Sequence, residues 1–221
     1  MTKLYALDLR YYENGCWRDL LAKVPPARRQ RALACRFDPD KMRIVCAGYL
    51  LQTALEKAGI PAEAQLFAEN QWGKPYLKNH KNIHFSLSHS GVWAVCAVSD
   101  ENVGVDVELP RCNMAVAKRF FREEELEGLD ALDRYHQSDA LNRLWTAKEA
   151  FLKMLGKGLT LPLDSFTVRL GEKAELIQDY TDLPYRLHEY RRGLYRICLC
   201  TTDERPEVEA IDHLAKERLP L

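Results

Sequence analysis

The chain has 221 residues, with 32 Lys plus Arg against 32 Asp plus Glu, so its formal charge is zero. A nucleic-acid binder carries a basic excess, so that class is disfavoured and any grip on phosphate must come from local clusters. With 47% hydrophobic and 29% charged residues, the composition is that of a globular chain that buries a full core without staples. No apolar run nears the roughly 20 residues of a membrane span. Asp8 and Arg10 interrupt the start where a signal peptide needs unbroken apolar sequence. The expectation is a cytoplasmic protein with no membrane contact. Seven cysteines, odd in number and without a C-x-x-C pair, point away from structural disulfides and from a thiolate zinc site.

Residues 3–9 read as a strand. Pro25-Pro26 opens a basic helix over 27–35, since proline suits a first helical turn. Asp40 caps a longer helix to about 57, with Ile44, Leu51, Ala54 and Leu55 near helical spacing and Gly59 and Pro61 beyond its end. After a loop with Gly73-Lys74-Pro75 come three strands, 83–88, 92–98 and 103–109. Turn sequences at 88–91 and 99–102 separate them. Asn113 caps a helix to about 127, stopped by Gly128, and another runs over 138–155, stopped by Gly156. Residues 164–202 alternate like a small antiparallel sheet. Strand, helices and strands thus occur twice, which predicts an α+β fold in two related halves with a crevice between them. Identity between the halves is too low to establish a repeat.

Three short constellations can carry chemistry, and each alone has a plain alternative. In Gly104-Val105-Asp106-Val107-Glu108 the alternation of a strand puts both carboxylates on one face. At about 4 Å and an effective dielectric near 20 they repel by roughly 4 kcal/mol, a cost that a hard cation reverses; a solvated edge strand is the simpler reading. In Trp145-Thr146-Ala147-Lys148-Glu149-Ala150-Phe151-Leu152-Lys153, Glu149 and Lys153 share a helix face, as an ordinary surface pair also does. In Phe85-Ser86-Leu87-Ser88-His89-Ser90-Gly91 the serines oppose the apolar pair and His89 sits at the turn. That makes a phosphate cradle or a polar hairpin. Arg28 and Arg31, three apart on the basic helix, suit a further phosphate or a solvated face.

The set in this order resembles the 4'-phosphopantetheinyl transferases of the surfactin-synthetase-activating type, from about residue 23 to 168. The pairing of G-V-D-V-E with W-T-A-K-E-A-F-L-K is the specific part of that resemblance. The resemblance implies two similar α/β halves related by pseudo-twofold symmetry, 1–102 and 103–221, each a small, mostly antiparallel sheet packed with helices. The active site would lie in the crevice between them. It implies Mg2+, with Mn2+ as an alternative ion, on Asp106, Glu108 and Glu149, and catalytic roles for Glu149, Lys153 and Asp106. Arg28, Arg31, Lys74, Ser88, His89 and Lys153 would hold coenzyme A, with Lys74 beside the adenine and the arginines on the 3'-phosphate. Ile44 stands where relatives carry a threonine. The implied partners are coenzyme A and an apo acyl or peptidyl carrier protein, docked against the helix around Phe120, Phe121 and Glu125; the implied state is a monomer. Two rival classes stay open: a metal-dependent phosphohydrolase acting on a coenzyme-A-like diphosphate, and a non-catalytic coenzyme A binder.

Overall fold

The structure, a computed structural model, describes residues 1–110 and 114–210. Cys112 and the expected cap Asn113 lie outside the described residues. The chain opens with β1 (Lys3–Asp8), then α1 (Pro26–Ala34) and α2 (Asp38–Lys57). A hairpin of β2 (Phe67–Glu69) and β3 (Pro75–Leu77) follows. A second hairpin is β4 (His84–Ser90) and β5 (Trp93–Ser99). The same order recurs: β6 (Gly104–Glu108), helices α3 (Met114–Phe120), α4 (Glu123–Asp130) and α5 (Arg134–Leu155). The hairpins β7 (Thr167–Arg169) with β8 (Glu175–Ile177), and β9 (Arg186–Arg192) with β10 (Tyr195–Thr201), complete it. A last strand, β11 (Glu207–Ala210), has no counterpart in the first round.

The two main sheets have matching strand orders, β1-β5-β4 and β6-β10-β9. They differ at one edge, where β11 pairs parallel with the outside of β1. Period-two alternation gives each sheet two apolar faces. Leu4, Ala6, Val95 and Ala97 of the first sheet meet Val105, Val107, Ile197 and Leu199 of the second in a shared middle core. The outer faces take the long helices: Tyr5, Leu7 and Cys96 pack with Leu50, Leu51 and Ala54 of α2. Cys198 and Cys200 pack with Ala147, Phe151 and Met154 of α5. Helix, sheet, sheet and helix therefore stack in four layers, the α+β architecture expected.

Local differences from the sequence reading have identifiable causes. α2 begins at Asp38, with Pro39 in its first turn and Phe37 as the cap residue, three residues ahead of the expected cap Asp40. α5 begins at Arg134, four residues before the expected start, because the Asp133 carboxylate caps it by accepting from the backbone N–H groups of Tyr135 and His136. The single helix expected up to residue 127 is two helices, broken at Phe121-Arg122, and Gly128 lies inside α4 instead of stopping it. The β4–β5 hairpin extends to the pair Ser90–Trp93, so His89 is within β4 and the turn is Gly91-Val92. The six described cysteines are free thiols. No helix among the described residues is long and apolar enough to cross a membrane.

Candidate active site

Asp106 and Glu108 stand on β6 with their side chains toward α5, the face they share with Cys198 across the ladder. α5 reaches that strand because Gly104 has no side chain: a Cβ there would sit 1.9 Å from the Ala150 carbonyl oxygen and 2.4 Å from the Met154 nitrogen. The first glycine of G-V-D-V-E is thus a contact requirement. It brings Glu149 and Lys153, one helical turn apart, over the carboxylates. The Asn142 amide fixes the other end of the contact by donating to the Glu108 carbonyl at 3.2 Å.

Asp106 is the hub. One carboxylate oxygen, Oδ1, takes the Lys153 ammonium at 2.6 Å and the Ser88 hydroxyl at 2.7 Å, and Lys153 also donates to Ser88 at 2.9 Å. The other oxygen, Oδ2, is buried with no partner in the protein. A buried carboxylate oxygen without a donor carries a large desolvation cost. Glu108 accepts from the Ser90 hydroxyl at 3.0 Å. Burial, and then the charge of Asp106, raise the pKa of both Glu108 and Glu149 above the ordinary carboxylate value. The three acids thus feel one another. Among the described residues no three His, Cys, Asp or Glu side chains already stand close enough to share an ion. The orphaned Oδ2 and an all-oxygen donor set are nevertheless what a hard divalent cation requires.

Serines of β4 join this strand to the first sheet. The Ser86 hydroxyl accepts from the Val105 N–H at 3.0 Å and that of Ser90 from the Leu109 N–H at 3.4 Å. Side chains here satisfy an edge that no backbone ladder covers. Only Ser88 of the three serines carries an expected ligand role. The signal was present in the S-x-S-x-S alternation, which puts all three on one face.

A cavity of about 450 Å³ opens beside Lys153 and is walled by both halves of the chain. Arg28 and Arg31 of α1, Phe67, Trp72 and Phe85 of the first half, and Leu152, Lys153 and Gly156 at the end of α5 line it together. Burial, and then Arg31 alongside, press the Arg28 guanidinium below its usual value. His89 reaches solvent at the rim. Desolvation by the surrounding protein, then the cations Lys153, Arg28 and Arg43, push its imidazole down to about 4. The cavity lining thus carries the cations Arg28, Arg31 and Lys153 and the adjoining strand the carboxylates Asp106 and Glu108, a polarity that suits a phosphorylated ligand bridged to a metal. Lys74, expected beside adenine, lines the cavity with its stem. Its ammonium donates to the Val103 and Met154 carbonyls at 3.3 and 3.1 Å, and burial brings it down to about 8.

Two expected docking residues face inward and are corrected. Phe121 is buried against Trp145. Glu125 is buried because it ion-pairs with Lys148 at 2.7 Å, both side chains closed to solvent. Lys148, the lysine of the K-E pair, spends its remaining donors on the Leu163 and Phe166 carbonyls, both at 2.8 Å. All three of its N–H groups are thereby used. Of the expected docking set only Phe120 is exposed.

The sequence profile of the 4'-phosphopantetheinyl transferase superfamily matches residues 102–205. A 4'-phosphopantetheinyl transferase of Bacillus subtilis is 36% identical over 165 residues, 74% of each chain. The 4'-phosphopantetheinyl transferase Sfp of Bacillus subtilis strain 168 is 31% identical over 183 residues, 80% of this chain and 81% of its own. The 4'-phosphopantetheinyl transferase psf-1 of Bacillus pumilus is 34% identical over 208 residues, 90% of this chain and 89% of its own. Identity at this level across most of both chains, on a fold that brings the acidic strand beneath the K-E helix, makes this chain a member of the 4'-phosphopantetheinyl transferase superfamily.

Proposed function

We propose that the protein moves the 4'-phosphopantetheine arm of coenzyme A onto a serine of an apo acyl or peptidyl carrier protein, acting as a cytoplasmic monomer with its site between residues 1–102 and 103–221. The observation that carries this reading is Asp106. One oxygen is held by Lys153 and Ser88 while the other is buried and unpartnered, beside a cavity that Arg28 and Arg31 also line. Asp106, Glu108 and Glu149 would hold Mg2+, with Mn2+ as a substitute. The ion supplies charge neutralisation on the diphosphate and on the departing phosphate. Arg28 and Arg31 offer forked donors to the 3'-phosphate, and His89 borders the same phosphates as a neutral ring. Lys153 stands at the cavity wall as a point charge for the diphosphate, with Ser88 behind it.

In the transfer, the carrier serine oxygen forms a bond to the phosphorus that bears pantetheine. The P–O bond of the diphosphate bridge breaks, and the bridging oxygen leaves with adenosine 3',5'-bisphosphate. The hydroxyl proton passes to Glu149, directly or through a water. The free thiols support a reducing compartment. Mass spectrometry of a panel of apo-carriers, incubated with the protein, coenzyme A and Mg2+, tests the proposal. Addition of the arm to a carrier serine is expected. Cleavage of coenzyme A without an acceptor would make the protein a hydrolase, and binding without turnover would make it a coenzyme A binder.

A further inference from the structure

Lys74 and Asn70 do something in the fold that a ligand contact does not explain. Both lie in the loop between β2 and β3, and both reach the C-terminal end of α5, whose last carbonyls have no partner within the helix. The Lys74 ammonium donates to the Met154 carbonyl at 3.1 Å and to Val103, just before β6, at 3.3 Å. The Asn70 amide donates to the Gly156 carbonyl at 2.9 Å. The loop is rigid before it makes these contacts, because the Asn70 side-chain oxygen accepts from the backbone N–H groups of Trp72 and Lys74, both at 2.9 Å. A second backbone bond runs from the Asn70 N–H to the Lys74 carbonyl at 2.9 Å. Gly156 completes the fit. Its φ of +68° ends the helix in a left-handed turn, and a Cβ there would fall 2.7 Å from Lys74 Cδ. A cation at this helix terminus is also placed to suit the helix dipole.

We infer that Lys74 and Asn70 are a latch between the two halves, so that the Lys74 ammonium is a positioning group that sets where α5 carries Glu149 and Lys153. The bonded carbonyl of Met154 belongs to the residue after Lys153, so slack at this end of the helix moves the ammonium that meets Asp106. The consequence for turnover rests on the proposed transfer reaction; the latch itself does not. Displacements of about 1 Å at a reacting group can cost roughly a hundredfold in rate.

The test pairs Lys74→Met, which keeps the stem on the cavity wall, with Asn70→Ala, whose side chain does not line that cavity. Hydrogen exchange on the ligand-free full-length proteins comes first. Both variants are expected to exchange the amides of the last turn of α5 and the start of β6 at least about threefold faster than the parent, because local opening follows lost contacts. In carrier loading, kcat is expected to fall about tenfold or more while the KM for coenzyme A stays within about threefold in both variants. Unchanged exchange in Lys74→Met together with a raised KM overturns the inference and returns Lys74 to the ligand. If Lys74→Met does not fold, Asn70→Ala decides alone by the same two readings. A parent that loads no carrier refutes the proposed reaction and leaves the exchange comparison to judge the latch.

Discussion

The two halves can be laid on one another residue by residue. β5 and β10 each run back from a two-residue turn, Gly91-Val92 and Gly193-Leu194, so Cys96 corresponds to Cys198 and Ala94 to Arg196. Opposite Cys96 is Tyr5 and opposite Cys198 is Asp106; opposite Ala94 is Leu7 and opposite Arg196 is Glu108. At the same two positions, beneath the same kind of long helix, one half places apolar core and the other places carboxylates. The difference reaches the edges as well. The outside of β1 is closed by β11, whereas the outside of β6 meets serine hydroxyls. Chemistry has been built where one copy of the motif gives up burial energy that the other copy keeps.

The largest expected contrast is between Asp106→Ala and Tyr5→Ala. The first should lower carrier loading about 10³-fold or more while the thermal transition stays near that of the parent. The second should cost about 3–5 kcal/mol of stability, the usual result of truncating a buried aromatic. Mass-spectrometric turnover beside calorimetry checks both, and retained turnover in Asp106→Ala would end the correspondence between carboxylates and chemistry. Next comes the buried pair of the second half. Lys148→Met alone should cost about 3–5 kcal/mol in urea unfolding, because Glu125 is left charged without a partner. Lys148→Met with Glu125→Leu should recover much of that loss.

Smaller effects sharpen the comparison. Burial and Asp106 raise Glu149 above its ordinary 4.5 in the folded protein, so the unfolded chain ionises first as pH climbs. That group's contribution to stability is present below the ordinary value and lost as pH rises through the folded one. Glu149→Gln should therefore raise the Tm of the ligand-free protein at pH 7 by roughly 2–4 °C per kcal/mol relieved, with the gain vanishing near pH 4. Calorimetry across that range would expose a wrong sign directly. The smallest effect is His89→Asn, expected to weaken coenzyme A binding by only a few-fold, since the parent ring is neutral at physiological pH. Its carbon-bound proton resonances should titrate near 4 in the ligand-free protein, and a midpoint near 6.5 would mean that neither the desolvation nor the surrounding cations are felt.

What could be read from the sequence was local. The period-two pattern of 104–108 places Asp106 and Glu108 on one face, and the four-residue interval places Glu149 over Lys153. The end of α5 at Gly156 also follows from local rules. The rest depended on partners far along the chain. The helix break at Phe121-Arg122 is tied to Glu125, which accepts from the Arg122 N–H and then turns inward to Lys148. No pattern within ten residues announces that pair. β11 lies beyond the sheet expected over 164–202, and its partner β1 is far off in the chain at Lys3–Asp8. Lys74 shows the same limit at the candidate site, because a G-K-P loop says nothing about two carbonyl groups in the other half of the chain.

The parallel pairing of β11 with β1 has a practical consequence for anyone dividing this protein. Splitting it near residue 102 would strip the opening strand of its flanking cover and leave the closing strand without a sheet to join. Both pieces would then present raw hydrogen-bonding edges and should self-associate. A circular permutant that keeps those two strands together is the form in which separated halves are expected to remain in solution.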